Sequence, residues 1–341
     1  MAISWVTLIA GLGVFLAGVR ILAVSLQQLA GPRLARSLRA VAGSPGRAFV
    51  MGAVVAAALH SSGVTAASSI ALVHAGLLTE AQGFALILGA NIGTTITAQL
   101  VTFSTQAWVE PLLAAGLILI LVAVLGRLSW MPVARQRLPV AGGAAVFGLG
   151  SLFFGIELMA AAAHQWAGDP HVIAWLVSHS GSVWSAALLG AIVAALLQSS
   201  TVTVGLAIVA HAHGLFSLPT AVAIVLGANV GTSVQGLLAS LGTDVAARKT
   251  AVADLLFNAV GVVLFLPFLP AFAHVLEYLS VTPARRVANA HTLFNVGTAM
   301  AAFPWIPQIL RLADRLVATL DGPGWDQGSK WLRWTGMGTR S

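Results

Sequence analysis

The sequence predicts an all-α, polytopic membrane protein built as two inverted repeats, each with a re-entrant helical hairpin and a broken transmembrane helix. Three observations carry that reading. The 341 residues are 58% hydrophobic and 8% charged, with a mean hydropathy of +0.92, a composition that requires a bilayer as solvent. A long segment occurs twice, with polar residues at matched places. The arginines and lysines gather almost entirely in connections of one parity.

The apolar stretches run from one end of the chain to the other. The first, Ile3 to Leu29, is longer than the apolar part of a signal peptide and has no basic residues before it, so it reads as a retained transmembrane helix. There is no cysteine, hence no disulfide framework, thiolate metal site or cysteine nucleophile. The net charge of +7 sits in short clusters between apolar spans, which sets topology rather than offering a surface to nucleic acid.

Gly52 to Thr95 (GAVVAAALHSSGVTAASSIALVHAGLLTEAQGFALILGANIGTT) aligns without a gap on Gly190 to Ser233 (GAIVAALLQSSTVTVGLAIVAHAHGLFSLPTAVAIVLGANVGTS), with about 20 of 44 positions identical. With a slip of one residue the match extends upstream, GLGVFLAGVRIL from Gly11 against GLGSLFFGIELM from Gly148. The organisation that follows is a first repeat over 1–138, a second over 139–270, additional transmembrane or interfacial helices over 271–320 and a tail over 321–341. The tail is rich in Gly and Trp and reads as a mobile or interfacial extension.

Within the first unit, Ala48 to Leu59 and Val64 to Ala75 are each about 12 residues, or about 18 Å as helix. That covers part of a hydrocarbon core of about 30 Å. The economical arrangement is a re-entrant hairpin with its tip, His60-Ser61-Ser62-Gly63, near the midplane. Gln82 to Thr102 is long enough to cross but is interrupted by Gly89-Ala90-Asn91-Ile92-Gly93-Thr94-Thr95, and Trp108 to Leu125 follows. Three crossings per unit is an odd number, so the second copy is expected to be inverted, as in many secondary transporters.

The basic residues test that count. If each hairpin returns to its own side, one face receives Arg33, Arg36, Arg39, Arg47, Arg127, Arg135, Arg137, Arg248, Lys249, Arg311, Arg315, Lys330, Arg333 and Arg340, while the other receives Arg285 and Arg286. The first face is then cytoplasmic, with the N-terminus outside and the C-terminus inside. A further helix from about Val287 to Trp305 brings the chain back in.

Backbone that leaves the helix at membrane depth is tolerated where it lines a cavity or is buried in protein. Two tips and two interrupted helices, brought together by inversion, would surround one midplane site. The second arm of each hairpin starts at its tip, so N–H groups near Ser62, Gly63 and Val64, and near Ser200, Thr201 and Val202, point into that site. A helix N-terminus carries roughly half a positive charge, and two of them facing each other suit an anion. Carbonyls at the ends of the interrupted helices, with Asn91 and Asn229, would supply hard oxygen ligands for a small cation such as sodium. Ser, Thr and Gly also serve close helix packing, but two matched half-length hairpins, each followed at the same distance by Gly-Ala-Asn-x-Gly-Thr, favour a site.

Gln198-Ser199-Ser200-Thr201-Val202-Thr203 and Gly227-Ala228-Asn229-Val230-Gly231-Thr232, with their counterparts in the first half, resemble the duplicated QSS-type signature of type II sodium-phosphate cotransporters and their bacterial relatives. The resemblance covers both units and the Arg-x-x-Ala-x-Ala-x-x-Leu-Phe-Asn helices, to about residue 310. It implies sodium-coupled uptake of inorganic phosphate across the bacterial inner membrane by alternating access, with no cofactor beyond sodium as coupling ion. Ser61, Ser62, Gly63, Gln198, Ser199, Ser200 and Thr201 are the expected phosphate residues. Thr65, Asn91, Thr94, Thr95, Gln198, Ser199, Thr203, Asn229, Thr232 and Ser233 are the expected sodium residues. The sequence departs from the family pattern at His60, where glutamine is usual, and at Gly63, where a third hydroxyl is usual. His60 can serve as a neutral donor or titrate and make the activity pH-sensitive.

Intramembrane charges are functional candidates. Arg20 and Glu157 occupy equivalent positions in the two units and are expected to form a structural ion pair or a gate. Asp254 and His291 are equivalent in a shorter echo, Ala247 to Asn258 against Ala284 to Asn295, and either can bind a proton or a cation or join helices by hydrogen bonding. His74, His211 and His213 lie toward the open ends of the hairpins. No lysine or arginine falls in the tips themselves, so bound sodium is expected to offset the anion's charge. No catalytic triad, transition-metal cluster or GxxxxGK[ST] loop occurs, which argues against an enzyme or an ATP-driven pump. The expected partners are inorganic phosphate, sodium and the lipid bilayer, with no nucleic acid; phosphate export, a regulated anion channel or a membrane sensor remain alternative uses of the same cavity.

Overall fold

The computed structural model describes residues 2–40, 43–102, 106–125, 133–167 and 181–320, with Asp169 and His171. Arg127, the side chains of Arg33, Arg36, Arg39, Arg135 and Arg137, and the tail from Asp321 lie outside the described residues. Every regular element among the described residues is helical. Six helices are long and apolar enough to cross a membrane: Ser4–Leu26, Glu80–Val101, Ala107–Leu125, Leu138–Trp166, Leu218–Ala239 and Val245–Leu279. Three fall in each repeat.

The first unit consists of α1 (Ala2–Ala40), the short helices α2 (Pro45–Leu59) and α3 (Ser62–His74), then α4 (Glu80–Gly93), α5 (Thr95–Val101) and α6 (Gln106–Leu125). The second consists of α7 (Val133–Ala167), the short pair α8 (Val183–Leu197) and α9 (Ser200–Ala212), then α10 (Leu218–Ala239) and α11 (Val245–Phe265). Each short helix is about 20 Å long at 1.5 Å per residue.

Helices α1 and α7, which are equivalent in the two units, run antiparallel and in backbone contact. A Cβ on Gly18 would strike the Leu152 backbone and one on Gly155 the Phe15 backbone, while Gly11 lies against Gly155 and Gly148 against Gly18. Gly11 and Gly18 correspond to Gly148 and Gly155, so the contact is reciprocal: the first glycine of each unit meets the second of the other. Small residues let the backbones approach, which is where helices in lipid gain their dispersion energy.

Of the two expected breaks in the Gly-Ala-Asn segments, the second is absent and the first is present as a single turn residue, Thr94, between α4 and α5. Helix α10 runs uninterrupted from Leu218 to Ala239. In the first unit α4 passes to α5 through Thr94, whose φ of −67° and ψ of −20° stay right-handed, and whose N–H still donates to the Ala90 carbonyl at 3.1 Å. The glycines have another task. A Cβ on Gly89 or Gly93 would collide with the carbonyl of Phe49 or Ala53 on α2, and a Cβ on Gly227 or Gly231 with the carbonyl of Ala187 or Ala191 on α8. Each Gly-x-x-x-Gly stripe therefore seats a spanning helix on the first arm of its hairpin. The threonines of the motif turn their hydroxyls back on the helix, Thr232 to the Asn229 carbonyl at 2.8 Å and Thr94 to the Asn91 carbonyl at 3.1 Å. In the second unit α10 therefore has no helix end at Asn229 to offer free terminal carbonyls.

The chain closes with α12 (Leu269–Leu279), α13 (Pro283–Ala302) and α14 (Ile306–Leu320). Helix α13 buries His291, Phe294 and Asn295 among the other helices. Helix α14 is one-sided, with Ile306, Leu310, Ala313 and Val317 buried. Lys249 pins it through Asp314 at 2.7 Å and reaches Glu80 at 3.5 Å, tying the starts of α4 and α11 to the last helix.

Candidate transport site

The two tips are built alike. Helix α2 ends at His60 and α8 at Gln198, both left-handed with φ of 51° and 50°, the two non-glycine residues with positive φ among those described. A left-handed residue reverses the chain in one step, at about 1–2 kcal/mol for a side chain bearing a Cβ. Strain of this kind at two matched positions marks a constrained site. The next residue, Ser61 or Ser199, caps the second arm by accepting from the Val64 or Val202 N–H. The caps leave the N–H groups of Ser62 and Gly63, and of Ser200 and Thr201, without helical acceptors. Both cap hydroxyls still have a proton to donate.

Both tips face one cavity of about 850 Å³, lined by His60 to Val64 and by Leu197 to Thr201, with Thr232, Gln235 and Arg20. All seven expected phosphate residues are on its wall. Of the expected sodium residues, Gln198, Ser199 and Thr232 line it, whereas Thr65 and Thr203 bond back to the Ser61 and Ser199 carbonyls at 2.8 and 3.3 Å. Thr95 turns to the Ile92 carbonyl at 2.8 Å.

The expected ion pair between Arg20 and Glu157 is absent. Antiparallel packing sets Gly18 beside Gly148 and Gly11 beside Gly155, so Arg20 and Glu157 are displaced in opposite directions along the shared axis, by roughly 12–16 Å at the helical rise. Arg20 instead lines the cavity, which therefore holds a cation that the tip sequences alone do not supply. Glu157 has a buried carboxylate oxygen with no hydrogen-bond partner.

Asn91 and Asn229 lead into two polar clusters behind the tips. Asp254, 3% exposed, accepts from Asn258 Nδ2 at 2.8 Å, and the same amide reaches Ser233 Oγ at 2.9 Å. The Asn91 side chain adjoins this carboxylate, and Asn258 Oδ1 is buried without a partner. In the equivalent cluster, Asn229 donates to Asn295 Oδ1 at 3.2 Å and its Oδ1 lies 3.3 Å from His291 Nε2. The echo between Asp254 and His291 is thus a structural equivalence, one cluster carrying a carboxylate and the other an imidazole.

Gln235 is the lining residue that motif reading passes over. Its amide donates to the Gln198 carbonyl at the second tip, and its carboxamide covers Gly63 at the first, where any Cβ would collide with it. The equivalent residue in the first unit is Thr97, whose hydroxyl meets His60 Nδ1 at 2.7 Å. In both units the left-handed residue is held by a side chain 37 positions later, a spacing that the repeat makes visible. Gly63→Ser is expected to push the end of the Gln235 side chain aside and to destabilise the purified protein by about 0.5–1.5 kcal/mol, the worth of its hydrogen bond to the Gln198 carbonyl, and Gln235→Ala in the wild-type chain to cost a similar amount. Thermal unfolding in detergent checks this, and an unaltered melting temperature for Gly63→Ser would refute the contact.

Two strained helical tips meeting in one polar cavity among spanning helices are the layout of a multi-pass membrane transporter. The chain belongs to the Na+/Pi-cotransporter family, whose model matches twice, at residues 14–161 and 152–279. It is 31% identical over 304 residues to the uncharacterized protein YqeW of Bacillus subtilis (strain 168), covering 89% of this chain and 95% of that one. It is 29% identical over 301 residues to YjbB of Escherichia coli (strain K12), a protein provisionally named for inorganic phosphate export, covering 88% of this chain and 53% of that one. The YjbB of Salmonella typhimurium matches to the same extent. The chain therefore spans about half the length of these phosphate-export relatives. No solved structure matches it.

Proposed function

We propose that the chain is a secondary transporter of inorganic phosphate driven by sodium, working by alternating access around the cavity between the two tips. The single observation that carries this reading is the convergence of both Ser-Ser tips, with their unpaired N–H groups, on one cavity whose described lining contains no carboxylate. Hydroxyl and N–H donors at two helix N-termini match the oxygens of a tetrahedral anion. Ser61, Ser62, Gly63, Ser199, Ser200 and Thr201 hold the phosphate in this reading. The sodium site lies behind them, at Asp254 with Asn91, Ser233 and Asn258. A buried carboxylate with no cationic partner among the described residues and an idle amide oxygen beside it suits a hard cation.

The reciprocal glycine contacts between antiparallel α1 and α7 support two inverted repeats, and the half-length pairs α2–α3 and α8–α9 support re-entrant hairpins. With the N-terminus outside, the cavity faces the cytoplasm, since its wall continues to Val24 and Leu238, at the ends of helices that lead to basic segments. On the opposite side of the second tip lies an apolar cavity of about 580 Å³ walled by Trp5, Met159, Trp166, Leu206 and Phe216, which offers an ion no path.

The test is uptake of labelled phosphate into proteoliposomes. An inward sodium gradient is expected to drive accumulation, and equal uptake in choline or potassium would end the sodium reading. Export is the second reading, favoured by the name of the YjbB relatives. Reversing the gradient and measuring efflux distinguishes the two, because only a preferred direction survives reconstitution in known orientation.

A further inference from the structure

We propose that Arg20 is the anion anchor of the cavity; this rests on the transport reading above. Arg20 faces two connected spaces, the cavity between the tips and a groove of about 510 Å³ between α1 and α7 that extends past Ser25 and Gln28. It is the one formally charged residue among the described walls of either. Its side chain is exposed to them and has no ion-pair or hydrogen-bond partner among the described residues.

An arginine inside the Ser4–Leu26 span is disfavoured on insertion unless it faces a polar cavity or a partner. The obvious internal partner, its equivalent Glu157, lies elsewhere along the helix axis. A guanidinium left free on the wall that carries both sets of helix N-termini has a partner only when an anion enters. Its planar fork matches two oxygens of one phosphoryl group, which a lysine point charge does not. The N–H groups of the tips then take the remaining oxygens from the other side. The arginine belongs to α1 and the N–H groups to the hairpins, so the substrate bridges elements that are otherwise joined through packing, and the groove gives Arg20 a view of the cytoplasmic approach.

The same chemistry would serve a lipid phosphate, because the groove lies between two spanning helices. The experiment separates the sources. Phosphate uptake by Arg20→Gln and Arg20→Lys is measured in proteoliposomes of neutral lipid and of lipid containing phosphatidylglycerol, across pH 6 to 8, the range in which inorganic phosphate passes from monoanion to dianion. Arg20→Gln is expected to raise KM for phosphate by roughly 10- to 100-fold in both lipids, the worth of a charged hydrogen bond. It should also flatten the rise of affinity with pH that follows the dianion, and Arg20→Lys should keep part of the affinity. If KM in the variants is unchanged while the wild type transports, the anchor is refuted; if the defect appears only with anionic lipid, Arg20 holds a headgroup instead. Failure of the wild type to bind or move phosphate overturns the parent reading as well. Should the substitutions fail to fold, modification of wild-type Arg20 by phenylglyoxal in detergent, read by mass mapping of the peptide that carries it, answers the same question, with protection by phosphate expected and its absence decisive against the proposal.

Discussion

Asp254→Asn is expected to yield a folded transporter that no longer responds to sodium. The carboxylate is 3% exposed, is bonded at one oxygen to Asn258 Nδ2 at 2.8 Å, and has no cationic neighbour among the described residues. A charge so placed is stable when a cation joins it. Asparagine keeps the shape and removes the charge. Leaving one member of a buried ionic group unpaired costs about 3–5 kcal/mol, so apparent sodium affinity should fall by at least about 100-fold, and uptake in sodium should drop to the level seen in choline. Phosphate binding measured at high concentration should persist, because the tips and Arg20 are untouched. An unchanged sodium activation curve would remove Asp254 from the coupling site.

Gly227→Val is expected to be the most damaging single substitution for the fold. Even the Cβ would run into the Ala187 carbonyl of α8, and backbone cannot yield as a side-chain end can. Overpacking typically costs about 1–3 kcal/mol, and here the branched side chain also pries a buried helix from its hairpin, so the loss should exceed that range and leave little monodisperse protein in detergent. Gly297→Ala is the control. Nothing lies within 4 Å of a Cβ at Gly297, and alanine in a helix interior gains about 0.5–1 kcal/mol over glycine. Size-exclusion profiles and melting temperatures of the two variants should move in opposite directions; similar profiles would mean that α10 and α8 do not touch as described.

The comparison of these two glycines explains what was legible in the sequence. The tips could be read, because a short apolar run, a Ser-Ser cap and a second apolar run are all local signals, and duplication repeated them. The same motif is interrupted at Thr94 in the first unit and continuous in the second, because glycine in a membrane helix means either an interruption or a close neighbour, and the neighbour is a different stretch of chain. Gly52 and Gly190 on the first arms were in view, but that they meet the Leu86 and Ile224 carbonyls of the spanning helices is a tertiary fact. Arg20 and Glu157 failed as a pair for a related reason. Equivalence in a repeat says which residues exchange under the symmetry, and antiparallel helices bring equivalent residues together at a single level of the axis. Gln235 left no motif signal, since the first unit has Thr97 in its place; the constant separation of 37 residues from the left-handed tip residue was the available clue.

The contact of Gln235 with Gly63 makes the two halves mutually exclusive in their roles. If two copies of the first half were paired, Gly63 would face a threonine too short to cover it; if two copies of the second half were paired, Thr201 would occupy the space that the long Gln235 side chain fills. The two tips are thereby coupled: a side chain added at position 63 meets the end of Gln235, which itself bonds to the Gln198 carbonyl at the other tip.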